Sequence, residues 1–176
     1  MIHTTLQLCK DNNACAPGYE KLIKYVGLDY PKDEPISLLT VLESNDLEDT
    51  LWVLESATKE DSKIFRMKFG VWCAEQCYKY WEAKYPNDDR VKKCIDATHN
   101  FINDSATQVE LAAYAAAARS AATDAINAAA YTAYAAAYAA DADAAYAAYA
   151  AADAAYAAAA HAQKEQFSKM LNEHKG

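Results

Sequence analysis

Apolar positions recur every three to four residues along most of the chain, a spacing that predicts helices. Tyr19, Leu22, Ile23 and Val26 fall at i, i+3, i+4 and i+7, with Pro17 ahead of them and Gly27 as a stop. Pro31 and Pro35 bracket a turn, and Ile36, Leu39 and Leu42 mark the next stripe. Leu47, Leu51 and Leu54, with Trp52 beside them, predict a further buried face. Asn45 and Glu48 stand before it at capping-box spacing, and Asp46 and Asp49 lie near the positive end of its dipole. The amphipathic pattern is strongest over residues 61–84, where Ile64, Phe65, Phe69, Trp72, Cys73, Gln76, Cys77 and Tyr80 mark one broad face. Gly70 inside that helix costs about 1 kcal/mol relative to Ala, which points to a close backbone approach there. Pro86 ends the helix and Asn87 or Asp88 caps the next, whose stripe is Val91, Cys94, Ile95, Thr98 and Ile102.

From residue 105 the pattern changes. Residues 111–162 hold 33 Ala and seven Tyr in 52 positions, and no Gly or Pro occurs between Ser105 and Lys175. Ala has the highest helix propensity, and Ser105 with Gln108 has the spacing of a capping box to open the tract. At about 100° per residue, Tyr131, Tyr134, Tyr138, Tyr146, Tyr149 and Tyr156 all fall in a sector of about 120° if the helix is continuous. A continuous helix would be about 78 Å long, whereas a compact chain of this size has a radius of gyration near 16 Å. The tract is therefore expected to fold back as a hairpin, with corners at Thr123-Asp124 or at Asp141-Ala142-Asp143. The predicted fold is an all-α, single-domain helical bundle: short helices over residues 1–104, and an Ala/Tyr-rich helical part of the same domain over 105–176.

Composition narrows the chemistry. The chain has 176 residues, one domain's worth, and a formal charge of −8. That charge disfavours nucleic acid as a partner, because phosphate binding needs a basic footprint. No run is long and apolar enough to expect a membrane span. The first residues have neither a basic nor a long apolar stretch, and the five Cys have no CxxC spacing. A reducing cytoplasm is the expected compartment. No cofactor motif of the G-x-x-x-x-G-K-[ST], H-E-x-x-H or G-x-S-x-G type occurs, so neither a cofactor nor a metal is expected. Cys73 and Cys77 lie one turn apart, but such thiols are commonly small core residues. His99, Glu48 and Asp49 are the candidates for acid or base chemistry; capping of a helix is the plainer role for the two carboxylates.

The tyrosines carry the binding argument. Phenol rings among methyl-sized neighbours would leave a cleft, and rings with hydroxyl tips suit stacking on a nucleobase or a hot spot for a protein. Arg119, the single basic residue of 111–162, has the fork to grip a phosphate or carboxylate. The expected ligand-binding residues are thus Arg119, Tyr131, Tyr134, Tyr138, Tyr146, Tyr149 and Tyr156. The plainer alternative is that the rings pack on the preceding helices and that Arg119 meets an acidic neighbour.

Leu42 to Leu54, LESNDLEDTLWVL, resembles the SNGLxDALWxL segment of an immunity-protein family with an Imm-5-like helical domain. Trp72-Cys73-Ala74-Glu75, Pro86-Asn87-Asp88-Asp89-Arg90 and Ile95-Asp96-Ala97 are similar to further elements of that family, although Asp46 stands where it usually has Gly. The resemblance implies a helical, non-catalytic protein of bacteria and phages that protects by binding. The expectation is sequestration of a small nucleotide-like signal in a Tyr-lined cleft; the alternatives are neutralisation of a protein toxin or defence protein, and a structural homo-oligomer.

Overall fold

A computed structural model describes residues 2–58, 62–124, 128–155 and 157–174. The protein is all-α, with one two-residue strand pair among the described residues. It forms two compact units, residues 1–62 with 164–176, and residues 63–163. The composition change at 104/105 falls inside the second unit.

In the first unit, β1 (His3–Thr4) pairs antiparallel with β2 (Ile36–Ser37), His3 opposite Ser37 and Thr4 opposite Ile36. Helices α1 (Leu6–Asp11), α2 (Ala16–Val26), α3 (Leu38–Ser44) and α4 (Leu47–Ser56) surround them in sequence. Each start has a capping side chain: Thr5 accepts from the Leu8 N–H, Cys15 Sγ from Gly18, and Ser37 from Thr40. The cap of α4 is Asp46, which accepts from the Asp49 N–H at 2.9 Å; the Asn45–Glu48 box expected from spacing is displaced by one residue. Asn45 instead ends α3, and its amide donates to the Gly18 carbonyl and to the Asp49 carboxylate. The core includes Ile2, Leu6, Leu22, Leu38, Val41, Leu51 and Leu54, so α3 buries Leu38, Val41 and Leu42, not the expected Leu39. The hydroxyl of buried Thr4 donates to the Ala57 carbonyl at 2.6 Å. The last helix, α10 (Ala157–Glu173), brings buried Phe167 and Leu171 to this unit.

In the second unit α5 (Lys63–Lys84) is buried on most of its circumference rather than along one stripe. Phe65, Met67, Phe69, Val71, Cys73, Cys77 and Trp81 are all inside, whereas Ile64 and Gln76, expected on the buried face, are exposed. The reason is that α5 packs against α6 (Arg90–Ile102), α8 (Ala128–Ala140) and α9 (Ala144–Ala155). The predicted stripe of α6 holds for Val91, Cys94, Ile95 and Thr98; its N-cap position is Asp89, which makes no capping bond, while Asp88, one residue before it, accepts from the Arg90 N–H and side chain. Helix α7 (Gln108–Asp124) opens with a capping box two residues beyond the expected one. Thr107 Oγ1 accepts from the Glu110 N–H, and the Glu110 carboxylate accepts from the Thr107 N–H at 2.8 Å.

The tract turns at one predicted corner, where α8 ends before a turn over Asp141–Asp143; the other, after Thr123-Asp124, borders residues 125–127, which lie outside the described residues. The turn over Asp141–Asp143 is a Schellman motif in which the Asp143 N–H bonds to the Tyr138 carbonyl and the Ala142 N–H to that of Ala139. Ala142 takes the left-handed position at φ 62°, where Gly is usual.

Candidate functional site

Inside the second unit the alanines form the core. Ala133, Ala135, Ala136, Ala137, Ala139 and Ala140 of α8 are all buried, because α5, α7 and α9 lie around that helix. Methyl-sized side chains let helix axes approach at the lower end of the usual 8–10 Å, a gap that admits no phenol ring. The approach is closest at Gly70, where an added Cβ would stand 2.9 Å from the Ala139 Cα. Small polar groups tie α8 and α9 to α5 and α6. Thr132 donates to the Cys77 carbonyl at 3.1 Å, the Cys77 thiol to Ala151 and the Cys94 thiol to Ala136. Gln163 donates to the Ala148 carbonyl at 3.1 Å.

With alanine inside, the rings lie towards solvent. Tyr131, Tyr146 and Tyr149 retain 43%, 59% and 47% of their exposure, and Tyr134 and Tyr138 are half-buried. Tyr134 and Tyr138 are one turn apart on α8 and stack at 6.1 Å between centroids, 20° from parallel. Tyr138 then meets Tyr146 of α9 across the corner at 5.3 Å and 35°. The structure thus joins three of the expected residues in one ladder. The corner voids the single 120° sector, which needed an unbroken helix. The rings stack on one another instead of walling a slot: a flat guest between two rings needs about 7 Å, twice a van der Waals contact of roughly 3.5 Å. The hydroxyls of Tyr131, Tyr134, Tyr138 and Tyr146 bond to no described residue. Tyr156 lies outside the described residues.

Arg119 of α7 forms an ion pair with Asp141 at the corner, so its fork is already engaged. This is the acidic-neighbour alternative of the sequence reading. Tyr114 of α7 is a further exposed ring, absent from the expected set because the angular count began at Tyr131.

The candidates for other chemistry lie apart from the rings. Cys73, Cys77 and Cys94 are buried, and burial raises all three thiols, Cys77 to about 11 and Cys94 to about 12. They stay protonated and are poor nucleophiles. His99 pairs with Glu75 at 2.8 Å on an exposed helix surface. Among the described residues no group of three His, Cys, Asp or Glu side chains is placed to hold a metal, and no helix is long and apolar enough to cross a membrane. No family model matches the chain, and no curated protein or solved structure matches it either.

Proposed function

We propose that the chain is a non-catalytic binding protein that captures a protein partner through the tyrosine ladder of α8 and α9, as an immunity protein captures a toxin or defence protein. One observation carries the reading: Tyr131, Tyr146 and Tyr149 stand exposed over a close-packed alanine core. Exposed, backed rings are the chemistry of interface hot spots, since each offers a large apolar face and a polar tip at little entropic cost. The partner is a protein with a basic surface. Residues 111–162 hold one basic and four acidic side chains, and Arg119 is paired with Asp141, which leaves three acidic residues, Asp143 and Asp153 among them, to complement positive charge. Five free cysteines fit a reducing cytoplasm. The nucleotide reading ranks second, because the stacked rings leave no slot and Arg119 is engaged.

Calorimetry of the full chain against a panel of basic toxin domains tests the reading. Binding that Tyr146→Ala weakens at least about tenfold supports it. Saturable heat with cyclic nucleotides or ADP-ribose, and none with any protein, overturns it in favour of the nucleotide reading. Self-association abolished by the same substitution overturns it in favour of an oligomer.

A further inference from the structure

The first unit contains a cavity of about 270 Å³ between α1, α2, α3 and α4, remote in sequence from the tyrosine ladder. Its apolar lining comes from Leu22, Val41 and Val53, and its aromatic walls from Tyr19 and Trp52. The polar side is formed by Asn45, Glu48 and Asp49. No Lys, Arg or His is among the described lining residues, so the charge facing the space is negative.

The Asp49 carboxylate is held in position. Asn45 Nδ2 donates to Asp49 Oδ2 at 2.8 Å and to the Gly18 carbonyl at 2.9 Å, which joins α4 to α2 through one amide. Gly18 makes this possible: a Cβ there would stand 2.9 Å from Asp49 Oδ2. Lys21 pairs with the cap residue Asp46 at 3.9 Å, and neither is part of the lining. Trp52 makes no hydrogen bond to a described residue, and its half-buried indole is left as a wall.

We infer that this cavity binds a small organic cation, a primary amine with a compact apolar body. The ammonium group would donate a charge-assisted hydrogen bond to the Asp49 carboxylate, with Glu48 adding to the field and the Trp52 face supplying a cation–π contact. The apolar body would cover Leu22 and Val53. The volume lies just below the roughly 300–1,000 Å³ of common ligand pockets, which fits a compact amine and excludes a nucleotide-sized guest.

Phenethylamine is a suitable probe, with 2-phenylethanol and 3-phenylpropionate as its neutral and anionic counterparts. Titration of the full chain, followed by calorimetry and by amide chemical shifts, is expected to show saturable binding of the amine with shifts confined to α2, α3 and α4. The alcohol is expected to bind at least about tenfold more weakly, and the acid not at all. Asp49→Asn and Trp52→Phe should each weaken the amine at least about tenfold, and exposed Glu48→Gln, which leaves the held carboxylate intact, by less. Thermal unfolding of each variant establishes that it is folded; if Asp49→Asn is not, Trp52→Phe and the three-probe comparison decide alone. Equal binding of amine and alcohol, or shifts centred on α8 and α9, would overturn the inference.

Discussion

Gly70 of α5 faces Ala139 of α8 so closely that a single added methyl would stand 2.9 Å from the Ala139 Cα and 3.0 Å from its Cβ. Helix propensity favours Ala over Gly by about 1 kcal/mol, but the added group meets backbone, and overpacking costs about 1–3 kcal/mol. Gly70→Ala is therefore expected to destabilise by up to about 2 kcal/mol, and Gly70→Val by more. A urea midpoint for Gly70→Ala at or above that of the wild type would contradict the close approach.

Thr132 is fully buried in the alanine core and spends its hydroxyl on the Cys77 carbonyl. Thr132→Val keeps the volume and loses the bond, at an expected cost of about 1 kcal/mol. Thr132→Ala also leaves a small cavity and should cost more. Chemical denaturation of both variants checks the order.

The buried thiols give the protein an alkaline limit. Burial raises Cys73, Cys77 and Cys94 above the ordinary value of 9.0. Above that value the unfolded chain loses protons that the native chain keeps. The stabilisation is thus full below about pH 9 and is lost as pH rises towards the native values of about 11 and 12. Each such thiol multiplies the unfolding constant by about ten per pH unit in that window. Denaturation midpoints should fall steeply above about pH 9, and less steeply in Cys94→Ala; parallel curves for the two proteins would remove the thiols as the cause.

Arg119 and Asp141 are each nearly half exposed, 41% and 45% for their side chains, so their ion pair is screened by water. Arg119→Ala is expected to cost no more than about 1 kcal/mol. A double-mutant cycle with Asp141→Ala, run at low and high salt, measures the coupling.

The helical class, the Gly70 contact and the corner over residues 141–143 were legible in the sequence, because each rests on local geometry: periodicity, a missing Cβ, a cap-competent Asp. The caps at Asp46 and Thr107 were misplaced by one and two residues, because Asn45 and Ser105 are equally able acceptors. What separates them is where the competing side chain is spent: Asn45 on the Gly18 carbonyl of another helix, and Ser105 on the Asn100 carbonyl at the end of the preceding helix. The tyrosines were harder to place. Rings ordinarily go inside, and here α8 has neighbours on so many sides that only methyl groups fit between them. The unit-one cavity left no sequence signal, since Tyr19, Asn45 and Trp52 come together only through packing.

A core of identical methyl groups has a consequence for which helix position is the right one. If α8 slid along its axis by four residues, Ala139 would replace Ala135, and Tyr138 would replace Tyr134. Most of the interior would not register the change. What forbids the slide is the rings at its margins. In one direction Tyr131 would be driven into the sealed place of Ala135, and in the other Tyr134 into that of Ala130. The phenols thus act as stops on a ratchet, and the threonine at position 132 as its pawl.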